Sequence, residues 1–268
     1  MRMKKPTLFL TALLLCISVQ AQAKKNTSIQ ASGVRDAIIK IKSPNPSEVL
    51  DAVMILGASR NTAATRPLMD LLSSGPRDDI TNAAIDALGS LGDSASLDIL
   101  LDYLNHRRSD VRERVILAVM DMQDARIDGA LEAALRDSDP GVRNAAAMAI
   151  GNRGQTGSIP MLFQAFERGV NEAAIAIGRI GDAKAAERLS TFLGRRDLID
   201  VLPGLDEFLR RKDFADKGKL DILEQLFELA GPEVKRFLIA YASTFSEEQK
   251  RNKVKLKAEE IIRAIPDE

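Results

Sequence analysis

The chain has 268 residues, with 38 basic and 38 acidic side chains, one Cys, one His and no Trp. A single cysteine excludes an intramolecular disulfide framework and a multi-cysteine zinc site, and a single histidine leaves one Cys–His combination at most. Hydrophobic residues at 45%, charged residues at 28% and aromatics at only 4% point to an all-α protein of closely spaced helices, since a sandwich would draw on Val, Tyr, Phe and Trp.

Arg2, Lys4 and Lys5 precede an apolar run from Leu8 to Val19, and Ala21-Gln22-Ala23 places small residues where a signal peptidase reads them. The run is 12 residues, short of the ~20 that span a bilayer, and Lys24 and Lys25 bound it. Residues 1–23 therefore read as a secretory signal peptide, cleaved after Ala23 or after Ala21. Cys16 follows Leu13-Leu14-Leu15, and the bulky Leu15 occupies the place where a lipoprotein acceptor needs a small residue. Losing residues 1–23 removes Arg2, Lys4 and Lys5 and no acid, which leaves 35 basic against 38 acidic groups in a cysteine-free mature chain. Export is the expectation, to the periplasm first and the extracellular space second, with no stable membrane insertion after the leader is gone. The slight acidity argues against nucleic acid, whose phosphates call for clustered Lys and Arg.

Residues 24–45 read as an N-terminal segment with a short capping helix on Val34, Ala37, Ile38 and Ile41, closed by the turn Ser43-Pro44-Asn45-Pro46. From residue 46 to 194 the chain repeats. Ala84-Ile85-Asp86-Ala87-Leu88-Gly89, Ala146-Ala147-Met148-Ala149-Ile150-Gly151 and Ala173-Ala174-Ile175-Ala176-Ile177-Gly178 share small residues at equivalent places, and weaker copies end at Gly57 and Met120. Anchors at 57, 89, 120, 151 and 178 give intervals of 32, 31, 31 and 27, the period of a repeat architecture. Each copy opens with helix-start chemistry, as in Asp110-Val111-Arg112 and Asp139-Pro140-Gly141-Val142-Arg143. Val142, Ala146, Ala149 and Ile150 then mark one buried face, with Ala146 and Ala149 small enough for close helix approach. Gly151 and Gly154 are expected to release that helix, and Ile159, Leu162, Phe163 and Phe166 mark the next. In Gly92-Asp93 and Gly181-Asp182 a left-handed Gly is expected to close one helix while the Asp caps another.

The run Val142-Arg143-x-x-Ala146-x-x-Ala149-Ile150-Gly151 with its Asp139-Pro140 lead resembles the HEAT repeat, particularly the short variety found in phycobilisome lyases. Ile80 to Asp93 and Val111 to Asp124 fit less completely, Thr81 standing where the pattern has Arg. The resemblance implies an α-solenoid of stacked antiparallel helix pairs. It also implies a non-catalytic protein-binding scaffold, with a bilin-lyase-like enzyme as the analogy-based alternative and a structural envelope spacer as another.

Residues 195–245 read as divergent helical repeats. Leu220, Leu223, Leu226, Phe227 and Ala230 mark a first helix, Val234, Leu238, Tyr241 and Ala242 a second, and Val201 to Leu209 an irregular unit between the repeats. Residues 246–268 form a capping helix on Val254, Ala258, Ile261 and Ile265, whose Lys250, Arg251, Lys253, Lys255 and Lys257 are balanced by Glu247, Glu248, Glu259 and Glu260.

Chemistry-bearing residues have simpler explanations. His106 falls in a loop and is expected to face solvent, without a second His or Cys to complete a triad or zinc site. The pairs Asp78–Asp79 and Asp137–Asp139 precede helices, where capping accounts for them. Gly151-Asn152-Arg153-Gly154-Gln155-Thr156-Gly157 lacks the Gly-Lys-Ser/Thr ending of a phosphate loop. No catalytic residue, metal ligand or cofactor is expected.

A partner, an unidentified protein or peptide, is expected on equivalent positions of successive second helices. These are Asn82 and Asp86; Glu113, Leu117 and Asp121; Asn144, Met148 and Asn152; and Glu172, Ile175 and Arg179. Polar residues rim a line of Leu117, Met148 and Ile175. Packing between side-by-side helices is the preferred account of that line, and an adaptable apolar groove for a peptide or helix is the sharper one.

Overall fold

A computed structural model describes residues 33–266, all helix, turn and loop without a strand. The expected leader, its cleavage sites, Cys16, Lys24 and Lys25 lie outside the described residues. The chain divides after residue 102 into two compact units, each a stack of helix pairs, so the fold is an α-solenoid.

In the N-terminal unit, α1 (33–40) is followed by α2 (Pro46–Ala58), α3 (Thr65–Ser73), α4 (Asp78–Leu91) and α5 (Leu97–Asp102). Val34, Ala37 and Ile41 are buried as expected, while Ile38 is only half-buried. Asn45 starts α2, its side chain accepting from the Ser47 N–H at 3.0 Å, with Pro46 in the first turn where a missing N–H costs nothing. α2 stacks on α4 closely enough that a methyl at Gly57 would stand 2.9 Å from Ala87 Cα. Gly92 closes α4 at φ 63°, and Asp93 caps the next turn through the Ala95 N–H, as the sequence predicts.

The C-terminal unit continues with α6 (Ser109–Val119), α7 (Arg126–Ala134), α8 (Pro140–Arg153), α9 (Ile159–Glu167), α10 (Glu172–Ile180), α11 (Ala183–Ser190) and α12 (Leu198–Arg210). α13 (Asp216–Glu228), α14 (Pro232–Ala242) and α15 (Lys253–Ala264) complete it. α6, α8, α10 and α12 lie side by side in one row, and α7, α9 and α11 pack behind them. α8 shows why the row is alanine-rich. Val142, Ala146, Ala149 and Ile150 are buried as predicted, but so are Ala145, Ala147 and Gly151, which leaves only a narrow open strip.

Several expectations need correction. Gly151 does not release α8: the helix runs on to Arg153, and Gly154 closes it at φ 70°, while a methyl at Gly151 would stand 3.0 Å from Ala176 Cα. Gly181 is extended rather than left-handed, at φ −72° and ψ 156°. It is required because a methyl there would crowd Phe208 and the Ile177 carbonyl. Asp182 still caps α11 through the Ala185 N–H. The unit expected around Val201 to Leu209 is α12, the next member of the row, and its packing is as close as elsewhere, since a methyl at Gly178 would overlap the Gly204 carbonyl oxygen. On α13 the buried stripe is Ile222, Leu223 and Leu226, while Phe227 is exposed and Ala230 lies beyond the helix. Val234, Leu238 and Tyr241 of α14, and Val254, Ala258, Ile261 and Ile265 at the C-terminus, are buried as expected. Tyr241 donates to the Leu209 carbonyl at 3.2 Å, and burial pushes its phenol up to about 12.

Arginines of the C-terminal unit satisfy backbone carbonyls, some in the loop just before their own helix and some one repeat back. Arg112 donates to the His106 carbonyl at 2.8 Å, and Arg143 to those of Asp137 and Ser138 at 2.8 and 3.0 Å. Thr81, in the corresponding place, donates to Pro76 O at 3.2 Å, so it performs a shorter version of the same contact. A second set reaches further back. Arg153 donates to the carbonyls of Met120 and Met122 at 2.8 and 2.7 Å, and Arg211 to those of Gly178 and Gly181 at 3.1 and 2.7 Å. These are acceptors that helix ends leave unsatisfied, and a cation there also opposes the negative end of the helix dipole.

Candidate protein-interaction face

Glu113 and Leu117, and likewise Asn144, Met148 and Asn152, recur every fourth residue, so each set lies on one side of its helix. α6, α8 and α10 stand side by side, which brings Leu117, Met148 and Ile175 to equivalent places on neighbouring helices. Leu117 is 46% exposed and Met148 40%, and Ile175 is half-buried. The preferred sequence-based account, packing between helices, therefore fails for Leu117 and Met148. Alanines and Gly151 fill the seams instead, and the larger side chains stand on the open strip.

The polar positions divide into two kinds. Arg179 links three helices, donating to Asn152 Oδ1 at 2.6 Å and to Glu207 Oε1 at 3.0 Å. Sequence reasoning missed Glu207, although the repeat period signals it, since it lies 28 residues beyond Arg179. Glu113, Asp121 and Glu172 form no ion pair among the described residues. Glu113 leans over the first turn of α8 beside Gly141, Asp121 sits in the turn beyond α6 rather than on it, and Glu172 opens α10. Asn144 is half-buried on the same side of α8 as Met148.

In the N-terminal unit, Asn82 is half-buried with its Oδ1 unmatched, and Asp86 is exposed. A groove of about 660 Å³ runs between α2 and α4, lined by Met54, Gly57, Arg60 and Asp86 among others. Met54 is 68% exposed. It precedes its anchor Gly57 by three residues, as Met148 precedes Gly151, and that register was the signal available in the sequence. Arg60 takes φ 52°, a left-handed conformation given to glycine at Gly92 and Gly154.

The remaining chemistry-bearing residues are engaged in structure. His106 is half-buried rather than open to solvent, stacked 5.7 Å from Tyr103 with its Nδ1 accepting from the Arg108 N–H at 3.3 Å. Asp139 caps α8 as predicted, accepting from the Gly141 N–H at 2.8 Å. Asp137 instead holds the Arg112 guanidinium in a two-point contact at 2.8 and 2.6 Å, and that bond keeps its carboxyl below the usual carboxylate range. Asp78, Asp79 and Asp110 are not caps but first-turn residues, where their charge favours the helix start. Asp79 pairs with Arg77 at 2.7 Å and Asp110 with Arg108 at 2.7 Å.

HEAT repeats match residues 34–121, 100–172 and 127–202, more than half of the chain. The chain belongs to the HEAT-repeat family. Among solved structures it is similar to the CpcE–CpcF complex of phycocyanin lyase from Nostoc sp. PCC7120, at 20% identity and a TM-score of 0.48, over 87% of this chain and 94% of that one. It is also similar to a homology model of the full-length AP-3 complex in an intermediate open conformation, at 15% identity and a TM-score of 0.58, over 89% of this chain and 52% of that one. The likeness to AP-3 is one of fold, and the HEAT chain spans about half of that neighbour. No curated protein is significantly similar in sequence.

Proposed function

We propose that this HEAT-repeat protein is a non-catalytic scaffold that holds a protein or peptide partner on the open strip of α6, α8 and α10. The observation that carries the reading is the exposure of Leu117 and Met148 at equivalent positions of adjacent helices, with Ile175 continuing the line. Apolar side chains left in water at repeat-spaced positions are where a docking chain gains most, and flexible Met adapts to differing partners. We further propose that it works in the cell envelope after export, supported by the charged start and short apolar run of residues 1–23. Among the described residues no helix is long and apolar enough to cross a membrane.

The scaffold is tested with Leu117→Ser combined with Met148→Ser. Capture of partners from envelope extract should fall more than about tenfold while the helical circular dichroism is retained, because hot-spot truncations cost above ~1 kcal/mol each. A folded double variant with undiminished capture would move binding elsewhere on the molecule. N-terminal sequencing of the native protein should begin at Lys24, or at Gln22 for the earlier cleavage, and an intact Met1 on a cytosolic species would end the envelope proposal.

A further inference from the structure

We infer that the partner of this face is a cationic, amphipathic helical segment, with apolar residues seated along Leu117, Met148 and Ile175 and Lys or Arg reaching the rim carboxylates. The inference rests on the scaffold reading above and adds the chemistry of what is bound. Its ground is a contrast in how acids are treated. In the loops and helix ends of the C-terminal unit, several carboxylates are matched by arginines, as in Asp124–Arg126, Asp137–Arg112 and Glu167–Arg188, and others, such as Asp139 and Asp182, by the N–H groups they cap. Beside the apolar line, Glu113, Asp121 and Glu172 have no ion pair among the described residues. Arg179 shares their face, but Asn152 and Glu207 hold its guanidinium. The open strip thus presents an apolar line with uncompensated negative charge on its margins, the complement of a helix with an apolar stripe and basic flanks.

Spacing supports the same occupant. Stacked helices lie 8–10 Å apart, so successive members of the line recur at about that distance, and residues seven apart on a helix are separated by ~10.5 Å. A docking helix of two to three heptads therefore meets the three apolar positions in turn. Rim pairs at an exposed edge act chiefly on encounter and orientation, so binding should weaken with salt.

Two synthetic helices of about 18 residues, ~27 Å long, make the test, with the same Leu heptad pattern and either Lys or Glu elsewhere. Titrated into the purified full chain by calorimetry at two ionic strengths, the Leu–Lys peptide should bind and lose affinity with salt, and the Leu–Glu peptide should not. The triple variant Glu113→Gln, Asp121→Asn, Glu172→Gln should weaken the Leu–Lys peptide about tenfold and flatten its salt dependence, as several modest rim pairs would. Acid-to-amide changes on α13, Glu224→Gln with Glu228→Gln, should leave it unchanged. If Met148→Ser weakens both peptides equally and the triple variant matches wild type, the apolar face survives and the cationic partner falls. If the α13 control lowers affinity as much as the triple variant, attraction is diffuse and the inference fails. Should neither the rim nor Met148→Ser matter, the scaffold face falls with it.

Discussion

The loop edge of the C-terminal unit and the open strip of its α6–α8–α10 row use the same residue types to opposite ends. At the edge, Asp137 is almost enclosed with Arg112, their side chains 15% and 12% exposed, and Arg153 is 11% exposed with its guanidinium on backbone carbonyls. On the strip, Leu117 and Met148 are partly open to water, and Glu113, Asp121 and Glu172 form no ion pair among the described residues. Charge that is matched and withdrawn from solvent maintains the register of the stack, whereas the charge left over is what the proposed partner would meet. Substitutions at the edge should therefore be felt in folding, and substitutions on the strip in binding.

The sharpest way to break that division is at the seam beneath both. Gly178→Ala forces a methyl into the Gly204 carbonyl, where the backbone must shift, and should cost about 3 kcal/mol in urea denaturation. A midpoint equal to wild type would show that α10 and α12 are not so closely packed. Next comes Arg112→Ala, which strands the enclosed Asp137 carboxylate and uncaps the His106 carbonyl, for a loss of about 2 kcal/mol. The same pair carries a pH signature. Because its bond to Arg112 lowers the Asp137 carboxyl, its contribution is full above the ordinary carboxylate value of ~3.9 and is lost as pH falls through the depressed folded value. Stability measured down through that range should fall less steeply in Asp137→Asn than in wild type. The smallest change belongs to the strip: Leu117→Ser and Met148→Ser should each move the thermal midpoint little, within about 1 kcal/mol, since both side chains are already 46% and 40% exposed. A large loss at Met148 would put it back among the packed residues and erase the contrast.

Much of the stack is legible in local pattern. Asp139 before Pro140, the Val142–Ala146–Ala149–Ile150 face and Gly92 closing α4 all appear as written, because caps and helical period are encoded within a few residues. What eluded local reading spans a whole repeat. Nothing near Arg153 announces that it will reach Met120 and Met122, and nothing around Gly151 distinguishes a helix stop from a place where the next helix presses close. The sequence marks α12 only as an irregular unit, and nothing local shows that its Gly204 meets Gly178 across the seam. For the interaction face, the sequence identified Leu117, Met148 and Ile175 as equivalent, but the choice between packed and open depended on how much of α8 its neighbours cover. Alanine at 145 and 147 broadened the buried face until only the strip remained.

The backward reach of Arg153 and Arg211 also orders events in time. The carbonyls at the end of α6 wait for a guanidinium 31 and 33 residues later in the chain, and those near the end of α10 for one 30 and 33 residues later. During synthesis, which proceeds at roughly 5–20 residues per second, these two helix ends wait for seconds until the guanidinium that clasps them has been made. At these two places a repeat is completed only by residues of the one made after it.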